Sequence, residues 1–284
     1  MKISLNFQNR SVVSNRVITK YLKSENYVFN NDSLIEEIPV AISYNGISYT
    51  TMMCTPCDLE HFAIGFSITE GIVDKRADIR DIEVVTEHQG TTIDVTISNQ
   101  CTYRLKERKR SLAGTTGCGI CGTERLKGIL KVKLPVSNES KLNVSGLDLA
   151  TKDLERKQYL SHRTGACHAA AYFSAEGHML AIFVDVGRHI ALDKLVGWYV
   201  QTNPTATGFV LVTSRASFEM VQKVAAVGIE SLVAISAATE LAVELAEKLN
   251  LTLVGYCRRG NATIYCHADR LILPQRESHD ACFQ

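Results

Sequence analysis

No apolar run in this chain approaches the roughly 20 residues that a membrane-spanning helix requires, so a transmembrane reading is excluded. The opening Met1-Lys2-Ile3-Ser4-Leu5-Asn6-Phe7-Gln8-Asn9-Arg10 lacks the apolar core of a signal peptide, which gives the expectation of a cytoplasmic protein. Internal repeats and low-complexity tracts are also missing, which excludes repeat arrays and linker-like chains. An even cysteine count is missing too: there are nine in 284 residues, too odd a number and too long a chain for a small disulfide scaffold. The thiols are therefore read as reduced. A net charge of only +1 names no partner by itself. What remains, at 45% hydrophobic and 21% charged residues, is an ordinary globular chain of one large domain or two.

The most informative segment is Thr115-Thr116-Gly117-Cys118-Gly119-Ile120-Cys121-Gly122. Glycines let a backbone fold tightly enough to present both sulfurs, and nearby cations favour thiolate over thiol. Those cations are present. Between Arg104 and Lys133 stand nine basic residues against Glu107 and Glu124, a net +7 that leaves −6 for the rest of the chain. Such a stretch suits an anionic partner, phosphate or an acidic protein face, or else is a solvated basic connector.

The two halves differ in rhythm. In the first, Val40–Tyr44 and Ile47–Thr50 alternate around Asn45-Gly46, a type I′ hairpin signal. Asp58 is placed to cap a helix with Leu59, Phe62, Ala63 and Phe66 on one face, ending near Gly71. Strands near Ile82–Val85 and Thr91–Ile97 follow. In the second half a helical stretch is expected after Gly165. Strands Met179–Val186, Phe209–Thr213, Ser231–Ser236, Thr252–Cys257 and Thr263–Cys266 then come with helices Ala191–Val200, Ser217–Val227 and Glu240–Leu249 among them. Strands alternating with amphipathic helices imply an α/β sheet covered by helices on both faces.

Several groups could carry chemistry. Cys54-Thr55-Pro56-Cys57 is a second C-x-x-C, and two such pairs could make a tetrahedral zinc site. The separation of Cys57 from Cys118 far exceeds that of a compact zinc ribbon. A thioredoxin-like dithiol would open a helix after a strand, whereas glycines flank both Cys118 and Cys121, so a loop-borne sulfur carrier is the better reading. His168 is placed early in the expected helix, either structural or catalytic. Asp185 and Arg188 either pair with each other or line a cleft at a strand end. Ser214-Arg215-Ala216-Ser217 opens a helix, either capping it or holding an anion. Gly255-Tyr256-Cys257-Arg258-Arg259-Gly260-Asn261 suits a phosphate and a stacked base, or is simply a basic turn.

Together these segments resemble the formate dehydrogenase accessory sulfurtransferase family (FdhD/NarQ). The likeness runs from about Glu36 to Leu273. It rests on Thr55-Pro56, Ile64-Gly65-Phe66 through Thr69-Glu70-Gly71, Cys118-Gly119-Ile120-Cys121-Gly122, and Thr164-Gly165 with His168-Ala169-Ala170. Asp185-Val186-Gly187-Arg188-His189, Ala191-Leu192-Asp193-Lys194, the run Ser214–Lys223 and Leu241–Ala246 extend it. Ile190 stands where the family commonly has asparagine, and Ser214 where many members have glycine.

The resemblance implies an N-terminal α+β domain (1–110), a basic Cys-x-x-Cys connector (111–135) and a cytidine-deaminase-like three-layer α/β/α cofactor-binding domain (136–284). It implies a sulfurtransferase that takes persulfide sulfur from a cysteine desulfurase. The recipient is the molybdenum (or tungsten) bis-guanylyl-pterin cofactor, Mo-bis(molybdopterin guanine dinucleotide), destined for the formate dehydrogenase catalytic subunit. Cys118 would carry the persulfide with Cys121 as helper or relay. Tyr256, Cys257, Arg258, Arg259, Gly260, Asn261, Arg215, Ser214 and His168 would hold the cofactor. No structural metal, nucleic acid or membrane partner is expected, and a homodimer is. Zinc deaminases need H-x-E and P-C-x-x-C. Here His168-Ala169-Ala170 and Ser214-Arg215-Ala216-Ser217 stand in their places, without the glutamate or the thiols. The alternative is a non-catalytic chaperone for the same cofactor.

Overall fold

Ile38, Val40, Ile42 and Tyr44 alternate with Pro39, Ala41 and Ser43, so every second side chain of this strand enters one buried face. The computed structural model describes residues 11–23, 26–113, 134–137 and 139–273. It begins with a long ribbon, β1 (Val13–Leu22) against β2 (Asn26–Ile35). A four-stranded sheet follows, with β3 (Ile38–Tyr44), β4 (Ile47–Cys54), β5 (Ile79–Glu87) and β6 (Gly90–Ile97) in the order β4-β3-β6-β5. The β3–β4 turn is the expected one: Asn45 and Gly46 both take left-handed φ, 49° and 73°.

Helix α1 (Leu59–Thr69) covers this sheet. Asp58 sits at its cap position but in a left-handed conformation (φ 53°) and makes no side-chain cap bond. The expected single apolar face is also too narrow a description, because only Glu60 and His61 escape burial along the helix. The reason lies on its other side, where it crosses α5 (Arg188–Thr202). A Cβ on Gly65 would fall onto the Asp193 carbonyl oxygen, and one on Gly197 onto that of His61. Two glycines thus let the helix backbones touch. Helix α2 (Asn99–Ala113) closes the first half.

The second sheet has six strands in the order β13-β12-β11-β10-β8-β9. These are β8 (His168–Ser174), β9 (Met179–Asp185), β10 (Gly208–Val212), β11 (Ser231–Ala234), β12 (Thr252–Arg258) and β13 (Asn261–Cys266). Strands β10, β11 and β12 are parallel, while β8 and β13 run against their neighbours. Helices α5, α6 (Phe218–Ala225) and α7 (Glu240–Lys248) pack on one face, with Val210, Val212, Leu232 and Leu253 beneath them. On the other face α3 (Val144–Lys157) and α4 (Tyr159–Thr164) pack over Ala169, Ala171, Leu211 and Val233, joined by Val12 and Cys57. A short parallel pair, β7 (Leu142–Asn143) with β14 (Leu271–Ile272), borders that layer.

The helix expected after Gly165 is absent. Gly165, at φ 65°, instead ends α4, and His168 opens strand β8. Ala169, Ala170 and Ala171 are small residues buried on both faces of a central strand, a pattern that periodicity alone does not separate from a buried helix. Equating His168-Ala169-Ala170 with a helix-borne H-x-E therefore fails.

The segment entering the second sheet is clamped at its far end. The Glu230 carboxylate accepts from the Ser137 hydroxyl, the Glu139 amide (3.1 Å), and the Ser140 amide (2.8 Å) and hydroxyl (2.6 Å). Arg270, 1% exposed, donates to the Glu230 and Ser137 carbonyls and to Thr252. Burial would push the Glu230 carboxyl up, but these donors hold it below its ordinary value.

Two expectations follow. Gly65→Ala and Gly197→Ala each lower the stability measured in urea by about 1–3 kcal/mol, and the pair combines non-additively because both open one crossing. Glu230→Gln costs about 1.5 kcal/mol at pH 7. Because the folded carboxyl titrates below its unfolded value of 4.5, wild type loses this advantage as the pH falls from there, and the gap between the two melting curves closes in acid.

Candidate functional site

Parallel strands bring their C-terminal ends to one edge, and in open α/β sheets that edge faces ligand. Here the ends of β9, β10, β11 and β12 lie there, together with the start of antiparallel β8, whose His168 is in register with Asp185. Three helices begin from this edge, α5 after Gly187, α6 after Ser217 and α7 after Thr239, and none of the three cap residues makes a side-chain cap bond. Their first-turn amides lie at this edge, with Glu219 and Glu240 in the first turns of α6 and α7.

The loops along the edge are laced together. Thr213 exchanges bonds with Ala169, its amide donating to the Ala169 carbonyl (3.1 Å) and its hydroxyl accepting from the Ala169 amide (3.0 Å). The His168 Nδ1 lies 3.4 Å from the same hydroxyl. Ala216 donates to the Ala237 carbonyl (3.0 Å) and accepts from the Thr239 amide (3.1 Å), which locks the β10–α6 loop to the β11–α7 loop. Burial, with Arg188 and His189 nearby, pushes His168 below its usual value, so near neutrality it is an imidazole rather than a cation. Positive charge comes instead from Arg188, half-buried in the first turn of α5, and from exposed Arg215.

At β12 the ladder is irregular. Gly255 faces Thr263 and Arg258 faces Asn261, so three steps on one strand match two on the other, a β-bulge. Tyr256 stands in it with φ 49°, its amide donating to the Ser236 carbonyl (3.0 Å). The bulge shifts the alternation by one, so Val254 and Cys257 pack in the same apolar cluster. Cys257 is therefore buried and lends this surface only its backbone. Arg259 (φ 53°) and Gly260 (φ 76°) make a tight turn that overhangs the edge, and Asn261 Nδ2 donates to the Arg259 carbonyl (3.2 Å). The Arg258 guanidinium lies 5.9 Å from the centre of the Tyr256 ring. Ser214 is buried and spends its hydroxyl on the Arg215 carbonyl (3.1 Å). The edge thus gathers His168, Arg215, Tyr256 and Arg258, with Arg259, Gly260 and Asn261 at its rim. Cys118 and Cys121 lie outside the described residues.

Asp185 does not pair with Arg188. Its carboxylate accepts from Lys194 (2.7 Å), from the Thr55 amide (3.1 Å) and from the Gly187 amide (2.9 Å). Lys194 also donates to the Thr55 and Val184 carbonyls and lies 3.7 Å from the Cys57 sulfur. Burial alone would push Lys194 down, but the Asp185 carboxylate beside it holds the ammonium above its usual range. Sequence reasoning alone does not single out Lys194. Its signal was an acid–base pair, Asp193-Lys194, inside the apolar run Ile190–Val196.

Cys54 and Cys57 have no exposed surface. Burial pushes both thiols up, Cys57 to about 12, and raises Cys257 to about 11. Among the described residues no three His, Cys, Asp or Glu side chains are grouped to hold a metal. Also among them, no helix is long and apolar enough to cross a membrane.

The two sheets and their covering helices define a mixed α/β protein, with Arg188, Arg215 and Arg258 at the C-terminal ends of the strands of its six-stranded sheet. The model of the FdhD/NarQ family matches residues 35–272, and the chain belongs to that family. It is 47% identical over 251 residues to a protein of Cupriavidus necator named sulfur carrier protein FdhD, covering 88% of this chain and 85% of that one. A protein of the same name from Bordetella petrii is 48% identical over 244 residues, covering 86% and 88%. A crystal structure of a candidate formate dehydrogenase accessory protein from Desulfotalea psychrophila shares the fold. Its TM-score is 0.73 at 21% identity, over 92% of this chain and all of that one.

In the folded protein at pH 8, iodoacetamide leaves Cys54, Cys57 and Cys257 unmodified, because each is buried with its thiol protonated. Peptide mapping by mass spectrometry checks this, and rapid labelling of any of the three before unfolding contradicts their burial.

Proposed function

We propose that this protein is a sulfur carrier that receives persulfide sulfur from a cysteine desulfurase. It passes that sulfur to the molybdenum bis-guanylyl-pterin cofactor required by formate dehydrogenase. The observation that carries the reading is the match, at 47% and 48% identity over most of the chain, to relatives named sulfur carrier protein FdhD. The chemistry of the chain supports it. Cys118 and Cys121 sit in a segment of net charge +7 that favours thiolate. The Cys118 thiolate attacks the outer sulfur of the donor's persulfide. A new S–S bond forms on Cys118, the donor's S–S bond breaks, and the donor cysteine leaves as a thiolate, so no outside oxidant is needed. Cys121 assists or relays.

The cofactor is the cargo, and the sheet edge is its proposed seat. Arg258, Arg259 and Arg215 supply charge for the pyrophosphates, with help from the open helix N-termini. His168, neutral beside Thr213, offers hydrogen bonding without adding charge. We read the body as deaminase-like in plan but without its metal chemistry, since Ser214-Arg215-Ala216-Ser217 carries no thiol where the zinc signature needs two.

Cys118→Ala keeps the fold, loses the adduct of about 32 Da (one sulfur) formed with desulfurase and cysteine, and fails to yield active formate dehydrogenase. Undiminished activation of formate dehydrogenase by this variant would sink the proposal.

A further inference from the structure

Thr55 lies in the loop just before α1, yet it commits its amide and its hydroxyl to residues 130 and 131 positions further along the chain. The amide donates to the Asp185 carboxylate (3.1 Å), and the hydroxyl accepts from the Val186 amide (3.2 Å). Helix α1 meanwhile begins without a side-chain cap bond. Thr55 has no exposed surface and little freedom to turn. Pro56 after it favours an extended backbone, and a β-branched side chain has few rotamers.

The segment that Thr55 holds runs straight into Arg188. Asp185 accepts from the Gly187 amide (2.9 Å), which closes the turn on itself. Lys194 neutralises that carboxylate (2.7 Å) and donates to the Thr55 carbonyl (3.3 Å), so two buried ions and one threonine lock together. A Cβ on Gly187 would lie 3.0 Å from Ile190 Cδ1, and Ile190 is buried in the core of the first half. The first half thus grips the turn twice, by a hydroxyl and through an apolar side chain. What the turn displays is Arg188, half-buried at the edge and, among the described residues, without a carboxylate partner. A guanidinium on a fixed backbone with no acid beside it presents its fork of donors to a phosphate.

We infer that Thr55 is a positioning residue for anion binding: from the first half it fixes the turn from which Arg188 reaches the phosphates of the cargo. This rests on the seat proposed above and adds to it one arginine and the buried residue that aims it.

Calorimetric titration of the full chain with inorganic pyrophosphate tests this, with a thermal melt of each variant. Arg188→Ala weakens pyrophosphate by about tenfold or more, the size of a charge-assisted contact. Thr55→Val keeps the shape but leaves the Val186 amide without its acceptor. It weakens pyrophosphate about three- to tenfold, and Thr55→Ser restores wild-type binding. The double variant, Thr55→Val with Arg188→Ala, binds no more weakly than Arg188→Ala alone, because the threonine acts through that arginine. A threonine that only stabilised the fold would lower the melting temperature in both backgrounds and leave binding unmoved. Should Thr55→Val not fold, Thr55→Ala, which leaves the Val186 amide room for water, carries the same expectation. Wild-type affinity in the Thr55 variant, or equal losses in the two backgrounds, overturns the positioning role and leaves the seat standing. Wild-type affinity in Arg188→Ala does the same. Wild type that binds no pyrophosphate overturns the seat and this role with it.

Discussion

Helix α5 carries adjacent charges, Asp193 and Lys194, that are both removed from solvent, and the two halves of the molecule meet through them. Consecutive helical residues point about 100° apart, so the two side chains serve different neighbours. Lys194 reaches Asp185 and the Thr55 carbonyl, tying the loop before α1 to the end of β9. Asp193 accepts from Lys223 of α6 (2.9 Å) and from the Thr69 hydroxyl of α1 (2.7 Å). Each ion is costly to bury alone and tolerable only with its partners. The glycine crossing of α1 and α5 brings these groups within reach, so close backbones and paired charges are two aspects of one constraint.

That constraint also shapes the candidate seat. The Gly187 amide, at the start of α5, is held by the Asp185 carboxylate, and Val186 donates to the Thr55 hydroxyl (3.2 Å). The first turn of α5 and its Arg188 are thus positioned by residues buried beneath the edge. With Asp185 committed to Lys194, no acid of β9 neutralises Arg188. What charge Arg188 brings to the edge therefore depends on where the buried acids are committed.

Much of this was legible in the sequence, and what was missed has physical causes. The Asn45-Gly46 hairpin and the later strands and helices came through because alternation and helical periodicity are local signals. The β1–β2 ribbon and α2 are not legible, since Arg16, Lys20 and Asp32 or the basic run Arg104–Arg110 give no apolar stripe of either period. His168 reads as helical in the sequence because alanines buried on both sides carry no periodicity. In the sequence Tyr256 and Cys257 look equally ligand-facing. The bulge that sends one outward and the other into the core depends on pairing with β13, a non-local event. Lys194 was visible only as an oddity, since its partners lie at Asp185 and Thr55.

The distribution of thiols bears on the proposed chemistry. Six free cysteines are described, and five of them (Cys54, Cys57, Cys101, Cys257 and Cys266) are buried. Cys167, the sixth, is half-buried, with its thiol pushed up first by burial. A carrier must expose a thiolate to two large partners in turn, and wholly buried thiols meet neither requirement. Cysteine is among the residue types most often buried, so five of these need no role beyond packing. Within the proposal, sulfur handling therefore falls to Cys118 and Cys121, whose flanking cations favour the thiolate that the apolar core suppresses.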